Sequence, residues 1–251
     1  MDNIEKKLIE QETIEDSEIQ IDYTKKYSDE FYDTYIEKFE QRKQKKLFMR
    51  FVKRSFDIVS SFFAILLLFL PFIIIAIFIK ADSKGPVLFK NRRVGRNGKI
   101  FTCLKFRSMS TEAPKEVATS YGTTDGYITK VGRFLRKTSL DELPQLFNVF
   151  VGQMSIIGYR PLVPTEVRCN EMRQKMGVFK MRPGISGYSQ VKGRDNVYYK
   201  NKAIMDAYYV KHASCWLDLR LIFTSIKVAL GGKSNWDKSD EEKANGGNPH
   251  A

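Results

Sequence analysis

Apolar residues gather most densely between Ile58 and Ile79. No charge occurs in that stretch, and from Phe62 onward Pro71 alone interrupts an aliphatic and aromatic run. The length suffices for a membrane-spanning helix. Pro71 lies near the middle, where it removes a hydrogen bond and its ring meets the carbonyl of Leu67. Both flanks are basic: Arg50, Lys53 and Arg54 before, then Lys80, Lys84, Lys90, Arg92, Arg93 and Arg96 after. Basic flanks stay on the cytoplasmic side, and a single span cannot place both there. A helix that enters, bends at Pro71 and returns can, because each arm is too short to cross a core of ~30 Å. A Pro-kinked spanning helix is the other arrangement that membranes tolerate.

Shorter patterns follow. Val87–Phe89 and Ile100–Phe106 are strand-like, and Asn97-Gly98 between them predicts a hairpin or near-hairpin. Thr111 to Thr129 is polar, carries Pro114, Gly122 and Gly126, and predicts a mobile loop, either a connector or a lid. Val131–Lys137 is basic and amphipathic. Gln145–Val151 predicts a helix ended by Gly152, and Met154–Ile157 is a short apolar run. Thr165–Met176, Lys202–His212 and Trp216–Leu230 predict three more helices. The last has an apolar face broad enough for core burial or for a membrane interface. Arg182-Pro183-Gly184-Ile185-Ser186-Gly187 reads as a rigid turn suited to phosphate, and Gly193-Arg194 as a second basic turn. No internal repeat is evident.

The ends differ in character from the middle. Met1 to Gln41 is rich in Asp and Glu with scattered Tyr and Phe. That composition suits a disordered acidic tail, with Asp29–Phe39 the one stretch that fits a short helix. Its polarity also argues against a secretory signal. Arg42 to Arg54 then carries seven basic residues and no acid, which suits an anionic membrane surface. The polar stretch from Ser234 predicts a disordered tail. The chain therefore divides into an acidic tail (1–41), a basic segment with the membrane helix (42–80), a cytoplasmic domain (81–231) and a polar tail (232–251).

Charge narrows the chemistry. The 251 residues carry a formal charge of +13, so an anionic partner is expected: nucleic acid, a membrane or a phosphorylated small molecule. No aromatic-lined basic module of the kind that holds single-stranded nucleic acid is present. The three cysteines are far apart and odd in number, against a disulfide framework, and the two histidines make no zinc spacing. A metal would be a hard cation held by oxygen. The candidate is the stretch Thr138-Ser139-Leu140-Asp141-Glu142-Leu143-Pro144-Gln145-Leu146, where two adjacent acids sit among Arg133, Arg136, Lys137 and Arg160. Adjacent carboxylates repel and need a cation to share. They can hold Mg²⁺ and still leave one oxygen free to attack. Ser139 and Glu142 also have capping-box spacing, so a plain helix start competes with catalysis. Pro144 favours a helix that starts at Asp141 or later, because it then falls in the first turn.

These motifs together resemble the bacterial sugar transferases, the monotopic polyprenyl-phosphate phosphoglycosyl transferases. The resemblance runs from Lys53-Arg54-Ser55-Phe56-Asp57 through Gly85-Pro86-Val87-Leu88-Phe89, Arg93-Val94-Gly95, Lys105-Phe106-Arg107-Ser108-Met109 and Val131 to Leu146. It ends on Arg160-Pro161 and Arg182-Pro183-Gly184-Ile185-Ser186-Gly187. It implies a mostly helical α+β fold: a Pro-bent re-entrant helix at Pro71, and a compact cytoplasmic catalytic domain with a small β-hairpin and interfacial amphipathic helices. The implied reaction passes a sugar-1-phosphate from a UDP-sugar to undecaprenyl phosphate and releases UMP, a first step in exopolysaccharide, capsule, O-antigen or glycoprotein glycan assembly. Asp141 would be the nucleophile and Glu142, with Asp141, would hold Mg²⁺. Arg136, Arg160 and Arg182, with Arg107 and Lys105, would bind substrate phosphates. The implied location is the cytoplasmic face of a bacterial membrane with anionic lipids, with a homodimer as a further partner. Departures from the family pattern are Leu70 for Ser at the bend, Tyr159 for Pro before Arg160, Gln153 for Asp, Asn91 for Gln and Lys192 for Asn. Two other readings stand beside this one: direct transfer with both carboxylates as metal ligands, and a non-catalytic, membrane-anchored adaptor for anionic partners.

Overall fold

A computed structural model describes residues 26–40, 47–113, 126–193 and 199–229. Residues 1–25 and 41 of the acidic stretch, residues 42–46 of the basic segment, the centre of the Thr111–Thr129 loop, Arg194 and the polar tail from Ser234 lie outside those residues.

The apolar run folds as two helices, α2 (Leu47–Leu67) and α3 (Phe69–Asp82). Their axes bend by 60° between Arg50–Leu67 and Phe69–Asp82, and no single helix among the described residues is long and apolar enough to cross a membrane. The bend differs from expectation in its place. It falls at Leu68, whereas Pro71 is the third residue of α3. The proline ring excludes a helical carbonyl at Leu67, so the ladder breaks a turn upstream. Pro71 itself then sits where an N–H has no intrahelical partner to lose.

After α3 come the antiparallel strands β1 (Leu88–Val94) and β2 (Ile100–Phe106), paired from Leu88↔Phe106 to Val94↔Ile100. Their connection places Asn97 at φ 58° and Gly98 at φ 72°, as an Asn-Gly turn favours. β1 continues past Phe89 through Lys90-Asn91-Arg92-Arg93, a polar run that sequence patterning does not mark as strand. Next are α4 (Lys130–Lys137), α5 (Gln145–Phe150), β3 (Ser155–Ile157), α6 (Val167–Lys175), β4 (Gly184–Ser186), α7 (Tyr188–Gly193), α8 (Tyr199–His212) and α9 (Cys215–Ala229).

Two expectations are corrected here. Arg182–Gly187 is not a turn: its centre is β4, parallel to β3 with Ser155↔Gly184 and Ile157↔Ser186 paired. The glycines permit this, since a Cβ on Gly184 would stand 2.1 Å from the Gly158 nitrogen and one on Gly187 1.8 Å from the Gly158 oxygen. The disordered reading of the acidic stretch also fails over Asp29–Glu40, where the short helix that Asp29–Phe39 fits is present as α1 and is docked on the protein. Ser28 Oγ accepts from Phe31 N at 3.2 Å, and Asp29 and Glu30 favour the helix N-terminus. Phe31, Tyr32 and Ile36 are buried in the largest core, with residues of α6, α8 and α9. The Tyr32 hydroxyl donates to Asn201 Oδ1 at 2.7 Å. Acidic composition described the solvent face of α1 and missed its aromatic underside.

The bent pair is fastened to the rest of the protein at both ends. Asp57 of α2 is buried and accepts from Ser155 Oγ and Ile156 N, both at 3.0 Å. Arg54 donates to the carbonyls of Val149 and Phe150 at 2.7 and 2.8 Å, satisfying the end of α5. Lys53 meets Asp218 of α9 at 2.6 Å. Lys53 and Arg54, expected at a membrane surface, are thus internal ties. On α3, Phe72, Ile75 and Ile79 pack with Phe106, Leu135, Leu140 and Leu143. The short α5 sits between the two arms: Phe150 lies 6.3 Å from Phe62, and Phe147 5.9 Å from Phe72, between ring centroids.

Candidate active site

The site is built where β2, α4 and α5 converge below the bent pair. Asn148 on α5 fixes the first of these contacts. Its amide nitrogen donates to Thr102 O at 2.8 Å and to Gln153 Oε1 at 2.6 Å, while its oxygen accepts from Leu104 N at 2.9 Å. One side chain therefore satisfies a stretch of β2 edge and holds α5 against Lys105. Gln153, a departure from the family pattern, supplies an acceptor in this network.

α4 is fixed at its other end. Thr129 caps it by accepting from Gly132 N at 3.0 Å, and Asp82 Oδ2 accepts from Val131 N at 3.0 Å. Gly132 presses on Ser108, whose oxygen would lie 2.0 Å from a Cβ there. Arg136, one turn on, donates from Nε to Ser108 Oγ at 3.0 Å.

Between α4 and α5 the chain turns sharply. Ser139 has φ 56°, in the left-handed region, and makes no capping hydrogen bond. The capping-box reading therefore does not hold. A 3₁₀ turn at Leu140–Glu142 follows, and Pro144 precedes α5 in helical conformation. The helix thus begins after the acids, as Pro144 indicates.

The two carboxylates receive different treatment. Glu142 Oε1 accepts from Lys105 Nζ at 2.5 Å and faces Arg160 Nη1 at 3.5 Å. Burial pushes its carboxyl up, but Lys105 and Arg160 overcome that and hold it at about 2. Asp141 is 9% exposed, and among the described residues no side chain or backbone group bonds its carboxylate. Burial raises its pKa, with Glu142 adding to the rise and Lys105, Arg136 and Arg160 opposing it. One acid is tied down and ionised. The other is unengaged, at the surface of a cationic cluster.

Not every expected residue joins this cluster. Lys105, Arg136 and Arg160 do. Arg107 does not: it is buried and donates to the carbonyls of Ser83 and Lys84 at 2.6 and 2.9 Å and to Ser83 Oγ at 2.9 Å. It closes the end of α3 and is not presented to a phosphate. Arg182 donates from Nε to Gly152 O at 2.8 Å and lies near Arg54 and Arg96. Arg93, which sequence reasoning missed, acts on Glu142 through space and donates to Pro161 O at 3.2 Å. The sequence signal for it is the Arg93-Val94-Gly95 motif of the resemblance, which names the residue without assigning it to the site.

A metal finds limited support among side chains. The described residues contain no group of three or more His, Cys, Asp or Glu placed to share an ion. Two adjacent carboxylates are nevertheless a fitting donor set for Mg²⁺, which commonly takes one or two carboxylates and completes its shell with phosphate and water.

The chain matches the family model described as bacterial sugar transferase over residues 48–232. It is 41% identical over 198 residues to the undecaprenyl-phosphate galactose phosphotransferase of Salmonella typhimurium, covering 72% of this chain and 41% of that protein. To the undecaprenyl-phosphate glucose phosphotransferase of Komagataeibacter xylinus it is 37% identical over 188 residues, covering 70% and 35%. The exopolysaccharide production protein ExoY of Rhizobium meliloti is 37% identical over 201 residues, with 73% and 88% covered. The chain thus spans about two fifths of the longer relatives and most of the shorter one. With the matched region enclosing the carboxylate turn, its cations and the bent helix pair, the chain belongs to the bacterial sugar transferase family.

Proposed function

We propose that this protein transfers a sugar-1-phosphate from a UDP-sugar to undecaprenyl phosphate, at the cytoplasmic face of a bacterial membrane. The observation that carries the reading is the unequal pair: Glu142 held by Lys105 and Arg160, and Asp141 beside it with its carboxylate unengaged. In the first half-reaction an Asp141 oxygen attacks the phosphorus next to the sugar. The P–O bond to UMP breaks, UMP leaves, and the phosphosugar stays on Asp141. In the second, an oxygen of undecaprenyl phosphate attacks the same phosphorus, frees the carboxylate and forms the lipid-linked diphosphate sugar. A carboxylate needs no general base for this.

Phosphoryl transfer depends mainly on positioning and charge neutralisation. Lys105, Arg93, Arg136 and Arg160 place four cations around two carboxylates, leaving positive charge for a diphosphate. Glu142 and Asp141 would hold Mg²⁺, which supplies further screening of the diphosphate when bound. The test is UMP release with UDP-galactose, UDP-glucose and UDP-N-acetylgalactosamine, with and without undecaprenyl phosphate. Turnover with none of the UDP-sugars defeats the reading and favours an adaptor.

The membrane arrangement is part of the proposal. Leu67 at the bend is 80% exposed, and Phe63, Leu66, Phe69 and Leu70 around it are exposed too. Trp216 and Phe223 of α9 are 78% and 71% exposed. Such surface suits lipid, with the bend inserted and α9 lying in the interface. Re-entrance predicts that Ser17 and Ser110 lie on the same, cytoplasmic side. With Cys215 replaced by Ser, cysteines placed at these positions should both resist a membrane-impermeant reagent in intact cells. Labelling at Ser17 alone would show a spanning helix.

A further inference from the structure

The segment that carries Arg160 is held by an unusual set of bonds. Four consecutive carbonyls are all taken, by donors from three parts of the protein: β4, α6 and, for the last two, β1. Tyr159 O accepts from Gly184 N at 2.9 Å, Arg160 O from Arg173 Nη1 at 2.9 Å, Pro161 O from Arg93 Nη1 at 3.2 Å, and Leu162 O from Val94 N at 3.0 Å. Of these donors, Arg173 is the one embedded wholly in the core.

Arg173, on α6, is 1% exposed, and its other terminal nitrogen is paired with Asp206 of α8, itself fully buried. Asp206 is fixed in turn by Ser189 Oγ of α7, which donates at 2.8 Å. The Arg173 guanidinium also lies 5.4 Å from the centre of the Tyr159 ring. The plane of the fork is therefore set on one edge by a carboxylate and on one face by an aromatic ring. Its Nη1 reaches the carbonyl of Arg160, while Nε is buried without a hydrogen-bond partner among the described residues.

A buried ion pair is a poor source of stability, because desolvation of both ions offsets their attraction and apolar residues of the same volume often do as well. Stability alone therefore does not account for a charged pair here. Directional bonding does: a planar fork can join two acceptors at a fixed angle, which neither an apolar residue nor a Lys reproduces. Arg160 meets Glu142 at 3.5 Å. A small displacement of its backbone would move the guanidinium relative to both carboxylates.

We propose that Arg173 and Asp206 are positioning residues that set the place of Arg160 in the site, through a hydrogen bond from the core to its carbonyl. This rests on the role given to Arg160 above. The pair touches no reacting group and acts only through the Arg160 backbone.

The test uses the full chain in membranes and the UDP-sugar found active among the three named. Arg173→Met with Asp206→Leu removes both charges together and leaves no lone buried ion. Its thermal midpoint should hold or rise, while kcat falls about 10- to 100-fold, as misplacement of a catalytic contact does. In an Arg160→Ala background the same pair of changes should alter kcat by less than about twofold. Equal losses with and without Arg160 would show a general structural role and overturn the proposal. Amide hydrogen exchange gives a second readout that needs no substrate: the 158–163 segment should exchange ~10-fold faster, with α6 and α8 unchanged. Unchanged exchange in that segment also overturns the proposal. Normal turnover by Arg160→Ala alone would defeat the role given to Arg160, and faster exchange confined to the segment would still support the tether. Should the double variant fail to fold, Arg173→Lys keeps an ion pair with Asp206, lacks the fork, and is held to the same readouts.

Discussion

Asp141→Asn should lower turnover by on the order of 10⁴-fold or more, with the protein folded and KM for the UDP-sugar little changed. The amide keeps the shape of the side chain but is a very poor nucleophile. Stability should not suffer. Burial makes the ionised Asp141 unfavourable in the folded state, since its folded pKa lies above the ordinary carboxylate value. A neutral amide removes that burden at neutral pH, so the thermal midpoint should hold or rise. Glu142→Gln is the informative contrast. Glu142 is ionised far below the usual range through Lys105 and Arg160, so it contributes stability above the unfolded carboxylate pKa that is lost as pH falls toward about 2. Its amide should lower the midpoint and leave Lys105 less neutralised. The attacking atom remains, so the loss of turnover should be smaller than for Asp141→Asn. Matching losses in the two variants would favour two metal ligands and direct transfer.

The cations divide in the same way. Arg160→Ala and Arg136→Ala should each cut turnover ~10²-fold or more, the usual consequence of removing a preorganised charge stabiliser. Arg160 faces Glu142, and Arg136 is held beside Asp141 by its bond to Ser108. Arg182→Ala should cost less, because its guanidinium is bonded to Gly152 O and the charges acting on it are Arg54, Arg96 and Asp57 rather than Asp141 or Glu142. Arg42→Ala and Lys45→Ala serve as controls for charge alone. They should weaken membrane attachment by ~1 kcal/mol per charge and leave turnover of the bound enzyme intact. Equal losses across all five would show that surface charge acts as a whole and that these arginines form no built site.

Long apolar patterns and strong turn formers were readable from the sequence. The run from Ile58 to Ile79, the Asn97-Gly98 hairpin and the helices near Thr165, Lys202 and Trp216 all follow from local periodicity. Asp141 and Glu142 stood out because two acids in a basic stretch are conspicuous. The resemblance added Lys105, Arg136 and Arg160, which the fold brings together. It also suggested Arg107, which folding directs to the end of α3. That assignment depends on which way a strand end faces, and a linear motif does not contain it. The parallel pairing of β3 with β4 escaped because each strand has three residues and the contact spans the chain between Ser155 and Gly184. Arg173 and Asp206 escaped for a similar reason. Each looks like an ordinary charge on a charged helix until packing buries both. Helix α1 shows the limit of composition: three buried apolar side chains on one face outweigh the acids on the other.

The central claim is that Asp141 carries the phosphosugar between the two substrates. The direct measurement is UMP formed from the active UDP-sugar with Mg²⁺ present and undecaprenyl phosphate absent. Wild type should release UMP rapidly up to about one equivalent per enzyme and then stop, and Asp141→Asn should show no such burst. UMP release by the wild type that begins only when undecaprenyl phosphate is added would contradict the account and leave direct transfer in its place.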